Sequence, residues 1–248
     1  MEQSDYRRFV IISPFRSGST LLTERLNAHP SIHCYGELLN PTQLIWHPMA
    51  PENPSCGEAV RATDPGAFLE AVAWQLRPAQ IRAAGFKLPE PQFHRAFQQV
   101  RQHLANVDDL HVIYLSRENL LARYVSQARA LENKVWMVFD ASGTPEGEPI
   151  KIDATDLENF FKTEALLPRA IKAALDGCAS VDMTYEALIT MPVDAQHQLC
   201  AFLGVDYHPP EDVSKKISTG SLPDQISNFD ALAEHFTGTD WEIYFTRK

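Results

Sequence analysis

The sequence predicts an α/β fold, a mostly parallel central sheet flanked by helices. Three observations carry that expectation. Short, largely apolar runs at Phe9-Val10-Ile11-Ile12, Ala83 to Leu88 and His111 to Leu115 read as buried strands. Stretches with apolar residues at helical spacing lie between them, and strands alternating with helices indicate parallel pairing. Proline, glycine and asparagine punctuate the boundaries, as at Asn27-Ala28-His29-Pro30, which closes the opening helix.

Taken in order, the first strand runs into the turn Pro14-Phe15-Arg16-Ser17-Gly18-Ser19-Thr20, then into a helix carrying Leu21, Leu22 and Leu26. Ser31 to Tyr35 is a short strand, followed directly by Gly36-Glu37. Residues 40–66 hold Pro41, Pro48, Pro51, Pro54 and Pro65 with few periodic apolar positions, and read as a long irregular segment that serves as a lid or acceptor-binding region. Phe68 to Leu76 is helical, Ala83 to Leu88 is a strand with Lys87 near its end, and Gln92 to Leu104 is helical. The strand His111 to Ser116 delivers Arg117, and the helix Glu118 to Leu131 follows. Residues 134–139 and 148–152 flank a Gly/Pro-rich stretch and read as a hairpin. Asp153 to Leu175 is one long helix or two, Ala179 to Tyr185 a last strand, and Pro192 to Leu203 a helix with Gly204 after its end. The tail is polar with aromatic anchors at Phe229, Phe236, Trp241, Tyr244 and Phe245. No boundary interrupts the chain, so one domain over residues 1–248 is expected.

Composition narrows the function. The 248 residues, 44% hydrophobic and 22% charged, suit a globular chain with a sizeable core. A net charge of −10 argues against a nucleic-acid partner and makes any anion site depend on local cations. The four cysteines are scattered without a C-x-x-C pair, which indicates neither a disulfide framework nor a zinc site and fits a reducing compartment. No apolar run reaches membrane-spanning length, so a cytoplasmic location is the expectation.

The turn after the first strand carries the chemistry. The first N–H groups of a helix lack intrahelical acceptors and the helix dipole favours an anion there. Ser17, Ser19 and Thr20 add hydroxyl donors, and Arg16 adds a forked cation suited to phosphate. The nucleotide-triphosphate loop G-x-x-x-x-G-K-[ST] is not matched, because Ser19 stands where the lysine would be and the first glycine is missing. Arg117 at a strand end and Ser126 nine residues later on a helix could close on a second anion.

With both motifs in view, the chain resembles the sulfotransferases that use 3′-phosphoadenosine-5′-phosphosulfate (PAPS). The opening turn resembles their 5′-phosphosulfate loop, P-x-R-S-G-[ST]-[ST]. Arg117 and Ser126 resemble their 3′-phosphate motif. The spacing looks most like the bacterial glycan and glycolipid enzymes of the trehalose sulfotransferase type. Gly36-Glu37 is similar to the pair that supplies a carboxylate base there. Thr184-Tyr185-Glu186-Ala187-Leu188 is similar to R-Y-E-D-L, lacking its Arg and its Asp, and Ile226-Ser227-Asn228-Phe229 is similar to I-x-N-[YF]. The resemblance spans residues 9 to 230.

It implies a P-loop nucleotide-hydrolase-like fold, PAPS as co-substrate with no metal, and sulfuryl transfer to the hydroxyl of a small molecule, sugar or glycolipid. Arg16, Ser17, Gly18, Ser19 and Thr20 would hold the 5′-phosphosulfate, Arg117 and Ser126 the 3′-phosphate, and Lys216, with Lys215, would close over the nucleotide. Glu37 would be the base, with His33 and His47 as alternatives, and Lys87 would contact the sulfonate or the acceptor. Trp46, Trp74 and Trp136 are candidates for stacking on sugar rings. Arg123, Tyr124 and Phe139 read as an exposed helix charge and packing residues. The chain is compatible with a homodimer. A P-loop-type kinase or nucleotide triphosphatase, and a non-catalytic nucleotide- or glycan-binding protein of the same fold, remain as alternatives.

Overall fold

The computed structural model describes residues 6–40, 58–74, 80–90, 98–133, 147–209 and 221–246. The chain forms two compact units. One comprises Met1–Ser116 with Lys172–Val213, the other Arg117–Ile171 with Ser214–Lys248.

The first unit is a five-stranded sheet in the order β2-β3-β1-β4-β5. Its strands are β1 (Arg7–Ser13), β2 (Ile32–Tyr35), β3 (Ala83–Pro89), β4 (Leu110–Ser116) and β5 (Ala179–Thr184), and every pairing is parallel. The central strand is β1, and Phe9, Val10, Ile11 and Ile12 are fully buried. Burial on both faces is what an unbroken apolar run requires. Half of the residues of the edge strand β5 are exposed.

Helix α1 (Ser19–Asn27) buries Leu22, Thr23 and Leu26, one face at helical spacing. Leu22 and Leu26 join Phe9, Ile11, Leu115, Leu188 and Leu203 in the main core. Gly204 ends the helix Val193–Leu203 at φ 67, and the Arg7 guanidinium caps that end by donating to the carbonyls of Ala201, at 2.8 Å, and of Phe202.

Two local expectations change. Within the segment 40–66, the stretch Glu58–Thr63 is a helix, α2, and the prolines before it lie outside the described residues. The next helix is α3 (Pro65–Val72) and begins earlier than the apolar spacing indicates. Asp64 accepts a hydrogen bond from the Ala67 N–H at 2.9 Å, and Pro65 takes the first helical position, so the cap outweighs the period. The expected helix from Gln92 is described from Gln98 to Ala105 (α4).

The second unit is built on α5 (Leu120–Asn133) and α6 (Ala154–Ala174), the latter reaching past the unit at its C-terminal end. Asn119 caps α5 through a bond from the Ala122 N–H at 2.8 Å. Asp153–Leu175 resolves as one helix, with Pro168 inside it. The tail adds Leu222–Gln225 and Phe229–Phe236, whose aromatic side chains pack with Phe161 and Phe245 into a separate core.

Most of the expected hairpin, residues 134–146, lies outside the described residues. In its second arm, Ile150 forms a parallel bridge with Ile226. The Asn228 side chain then grips Ile152, accepting from its N–H at 3.0 Å and donating to its carbonyl at 2.9 Å. The asparagine of the Ile-Ser-Asn-Phe motif thus acts as a substitute strand partner.

Candidate active site

In a parallel sheet wrapped by helices, ligands bind beyond the carboxyl ends of the strands. At the end of β1 the chain turns through Pro14 to Gly18. Two residues take left-handed backbone conformations, Arg16 at φ 65 and Gly18 at φ 87. A non-glycine residue at such a φ is uncommon and clusters at functional turns.

Gly18 is the N-cap of α1 and provides no side-chain cap. A Cβ there would stand 2.6 Å from Cδ2 of Tyr185. Two constraints therefore select glycine at one position: the positive φ, and the aromatic ring laid against it. Tyr185 follows Thr184, whose hydroxyl caps the next helix by accepting from the Ala187 N–H at 3.1 Å. The motif that departs from the family pattern thus supports the loop itself.

The Oγ atoms of Ser13 and Ser17 are buried and have no hydrogen-bond partner among the described residues. Burying a hydroxyl unpaired is costly, so two such atoms at one strand end make it a candidate ligand site. Donor hydroxyls, an uncapped helix N-terminus and Arg16 form a set that fits an anionic phosphate group.

Register brings the next residues to the same edge. Tyr35, the last residue of β2, pairs with Phe86, so Gly36 falls beside Lys87, whose N–H donates to the Gly36 carbonyl at 3.2 Å. Glu37 comes next. Its Oε1 lies 3.1 Å from Lys87 Nζ, and both residues are more than nine-tenths buried. Lys87 Nζ also donates to Thr20 Oγ1 at 3.3 Å. An ammonium only donates, so Thr20 accepts there and its own proton is free to point elsewhere. The loop lacks a lysine of its own, and β3 supplies one from a different part of the chain.

Cys34, fully buried on β2, has its thiol pushed up to about 12 by burial, against the opposing pull of a Thr23 hydrogen bond and the Lys87 charge. It is a neutral thiol. His33 pairs in register with Ala84, three residues before Lys87, hence about 10 Å back along the strand direction. That separates His33 from the edge where Glu37 stands.

In the second unit, Arg117 follows β4 directly and is half-buried, and Ser126 is half-buried on α5. Arg123 is not the exposed charge expected from the sequence. It is 1% exposed, ion-paired with Glu164, and its guanidinium lies 4.8 Å over the Phe160 ring. Its role is to join α5 to α6.

Trp74 is core, with its ring against Phe86 and His103. Tyr124 packs edge-on against Phe160, as expected. Trp46, His47, Trp136, Phe139, Lys215 and Lys216 lie outside the described residues.

The sequence pattern of the sulfotransferase family fits residues 8–209, most of the chain and all of the turn from Pro14 to Thr20. The chain belongs to the sulfotransferase family. This sulfotransferase is similar along nearly its whole length to nodulation protein H of Rhizobium tropici, with 28% identity over 241 residues, 96% of this chain and 92% of that protein. Nodulation protein H of Rhizobium meliloti is 26% identical over 244 residues, 96% of this chain and 95% of that one. The crystal structure of a sulfotransferase from Alicyclobacillus acidocaldarius shares the fold, with a TM-score of 0.54 and 18% identity, covering 93% of this chain and 91% of that one. No helix among the described residues is long and apolar enough to cross a membrane.

Proposed function

We propose that this sulfotransferase moves a sulfuryl group from PAPS to a hydroxyl of a sugar or glycolipid acceptor. The observation that carries the reading is the pair of buried, unpartnered serine hydroxyls, Ser13 and Ser17, at a strand end that opens into an uncapped helix N-terminus.

In this reading Ser17, Gly18, Ser19 and Thr20 bind the 5′-phosphate through hydroxyls and backbone N–H groups, and Arg16 neutralises the charge that grows on the bridging oxygen. Lys87 directs the Thr20 hydroxyl and adds its own positive charge. Arg117 and Ser126 hold the 3′-phosphate, which distinguishes PAPS from ATP. Glu37 takes the proton of the acceptor hydroxyl as its oxygen bonds to sulfur. The sulfur–oxygen bond to the 5′-phosphate breaks, and the bisphosphate leaves with the electron pair. The demands are those of in-line group transfer: alignment and charge stabilisation. The burial of Glu37 beside Lys87 and its separation from His33 support the carboxylate as base.

The test follows labelled sulfate from PAPS to a panel of sugars and glycolipids. Transfer to at least one hydroxyl acceptor is expected, and Glu37→Gln should lose at least about 100-fold in turnover. No transfer to any acceptor from a protein that binds the donor product would favour a binding protein. Full turnover in Glu37→Gln would remove Glu37 as the base.

A further inference from the structure

We propose that Asn40, which the sequence does not single out, is a positioning residue that fixes the plane of the Glu37 carboxylate. The inference rests on reading Glu37 as the base. Glu37 Oε2 accepts from Asn40 Nδ2 at 3.0 Å, while Oε1 faces Lys87 Nζ at 3.1 Å. The terminal torsion of a glutamate is soft and broad, so a carboxylate held at one oxygen alone can turn. Held at both, it keeps its remaining lone pairs on a fixed line for an incoming hydroxyl.

Asn40 is itself held. Its N–H donates to the Glu37 carbonyl at 3.3 Å, closing a four-residue turn. Leu38 and Leu39 within that turn are buried in the core. On the other side, Arg61 of α2 donates from Nη1 to the Asn40 carbonyl at 2.7 Å. The turn is therefore anchored in the core at its middle and tied to α2 at its end, and the amide meets the carboxylate from a rigid base.

Beside Glu37, β3 contributes the charge of Lys87, and Lys87 in turn contacts the neutral Thr20 hydroxyl of α1 and acts on the neutral Cys34 thiol of β2. Asn40 is a neutral donor to the charged form of the carboxylate. Removing it disfavours that form, so the acid limb of the pH–rate profile moves to higher pH. Asn40→Asp replaces the donor with a second carboxylate and moves the limb further.

The experiment compares wild type, Asn40→Ala, Asn40→Asp and Glu37→Gln by kcat, KM for PAPS, pH profile and stabilisation by 3′-phosphoadenosine 5′-phosphate. For Asn40→Ala the expectation is a kcat lower by about tenfold, a KM for PAPS within about twofold of wild type, and an acid limb at higher pH. Asn40→Asp preserves size and reads the same limb should the alanine variant fail to fold. An unmoved limb and kcat in both variants, with Glu37→Gln inactive, overturns the positioning role and leaves the base assignment standing. Wild-type turnover in Glu37→Gln overturns both.

Discussion

Lys87 and Glu37 form a buried ion pair, 3.1 Å between Nζ and Oε1, at the carboxyl edge of the parallel sheet. Neither residue can be removed alone without stranding its partner's charge away from water. Breaking such a pair by deleting one member typically costs about 3–5 kcal/mol. Lys87→Met should therefore lower the urea midpoint sharply, and adding Glu37→Gln in the same chain should recover much of the loss. Additive losses in the double variant would show that the two side chains are energetically independent.

Gly18→Ala should weaken both the fold and donor binding. The left-handed backbone at φ 87 and the 2.6 Å approach to Tyr185 act on the same methyl group. The strain is on the order of 1–3 kcal/mol. Calorimetry should show a lower Tm and at least about tenfold weaker binding of 3′-phosphoadenosine 5′-phosphate, the loss equivalent to about 1.4 kcal/mol. Adding Tyr185→Ala relieves the contact but not the backbone. Full recovery in that double variant would assign the whole effect to the ring.

Asn228→Ala removes two hydrogen bonds to the Ile152 backbone at once. Leaving that half-buried N–H and carbonyl unpaired should cost about 1–3 kcal/mol. Hydrogen exchange at the Ile152 amide should speed up with it. An unchanged exchange rate at Ile152 would show that the grip is redundant with the neighbouring Ile150 bridge.

Three of the five strands were legible because burial on both faces demands largely apolar runs, which Phe9 to Ile12, Ala83 to Leu88 (broken by Lys87) and His111 to Leu115 offer. The proposed anion loop stood out because Arg16, the serines and Gly18 fall between a strand and a helix N-terminus, the placement an anion site needs. Register was not legible. Nothing local to Lys87 says that it meets Thr20 and Glu37, since that meeting depends on β2 and β3 pairing Tyr35 with Phe86. Arg123 was misread for a related reason: its partner Glu164 sits on a separate helix, and a charge on a helix face ordinarily points to water. The start of α3 was readable in Asp64-Pro65, a cap followed by a first-turn proline, but the apolar period drew attention further along. Asn40 acts through a single amide on a carboxylate, for which an asparagine carries no sequence signal; Asn228 stands in the I-x-N-[YF] motif, but its Ile152 backbone partner depends on tertiary packing.

The most direct test of the account is the thermal stabilisation of the protein by 3′-phosphoadenosine 5′-phosphate against Mg·ATP. A ligand that binds only the folded chain at 100 times its Kd adds about 2.7 kcal/mol of stability. The account predicts a raised Tm with the bisphosphate, little change with Mg·ATP, and loss of the bisphosphate effect in both Arg16→Ala and Arg117→Ala. Stabilisation by Mg·ATP without stabilisation by the bisphosphate would contradict it.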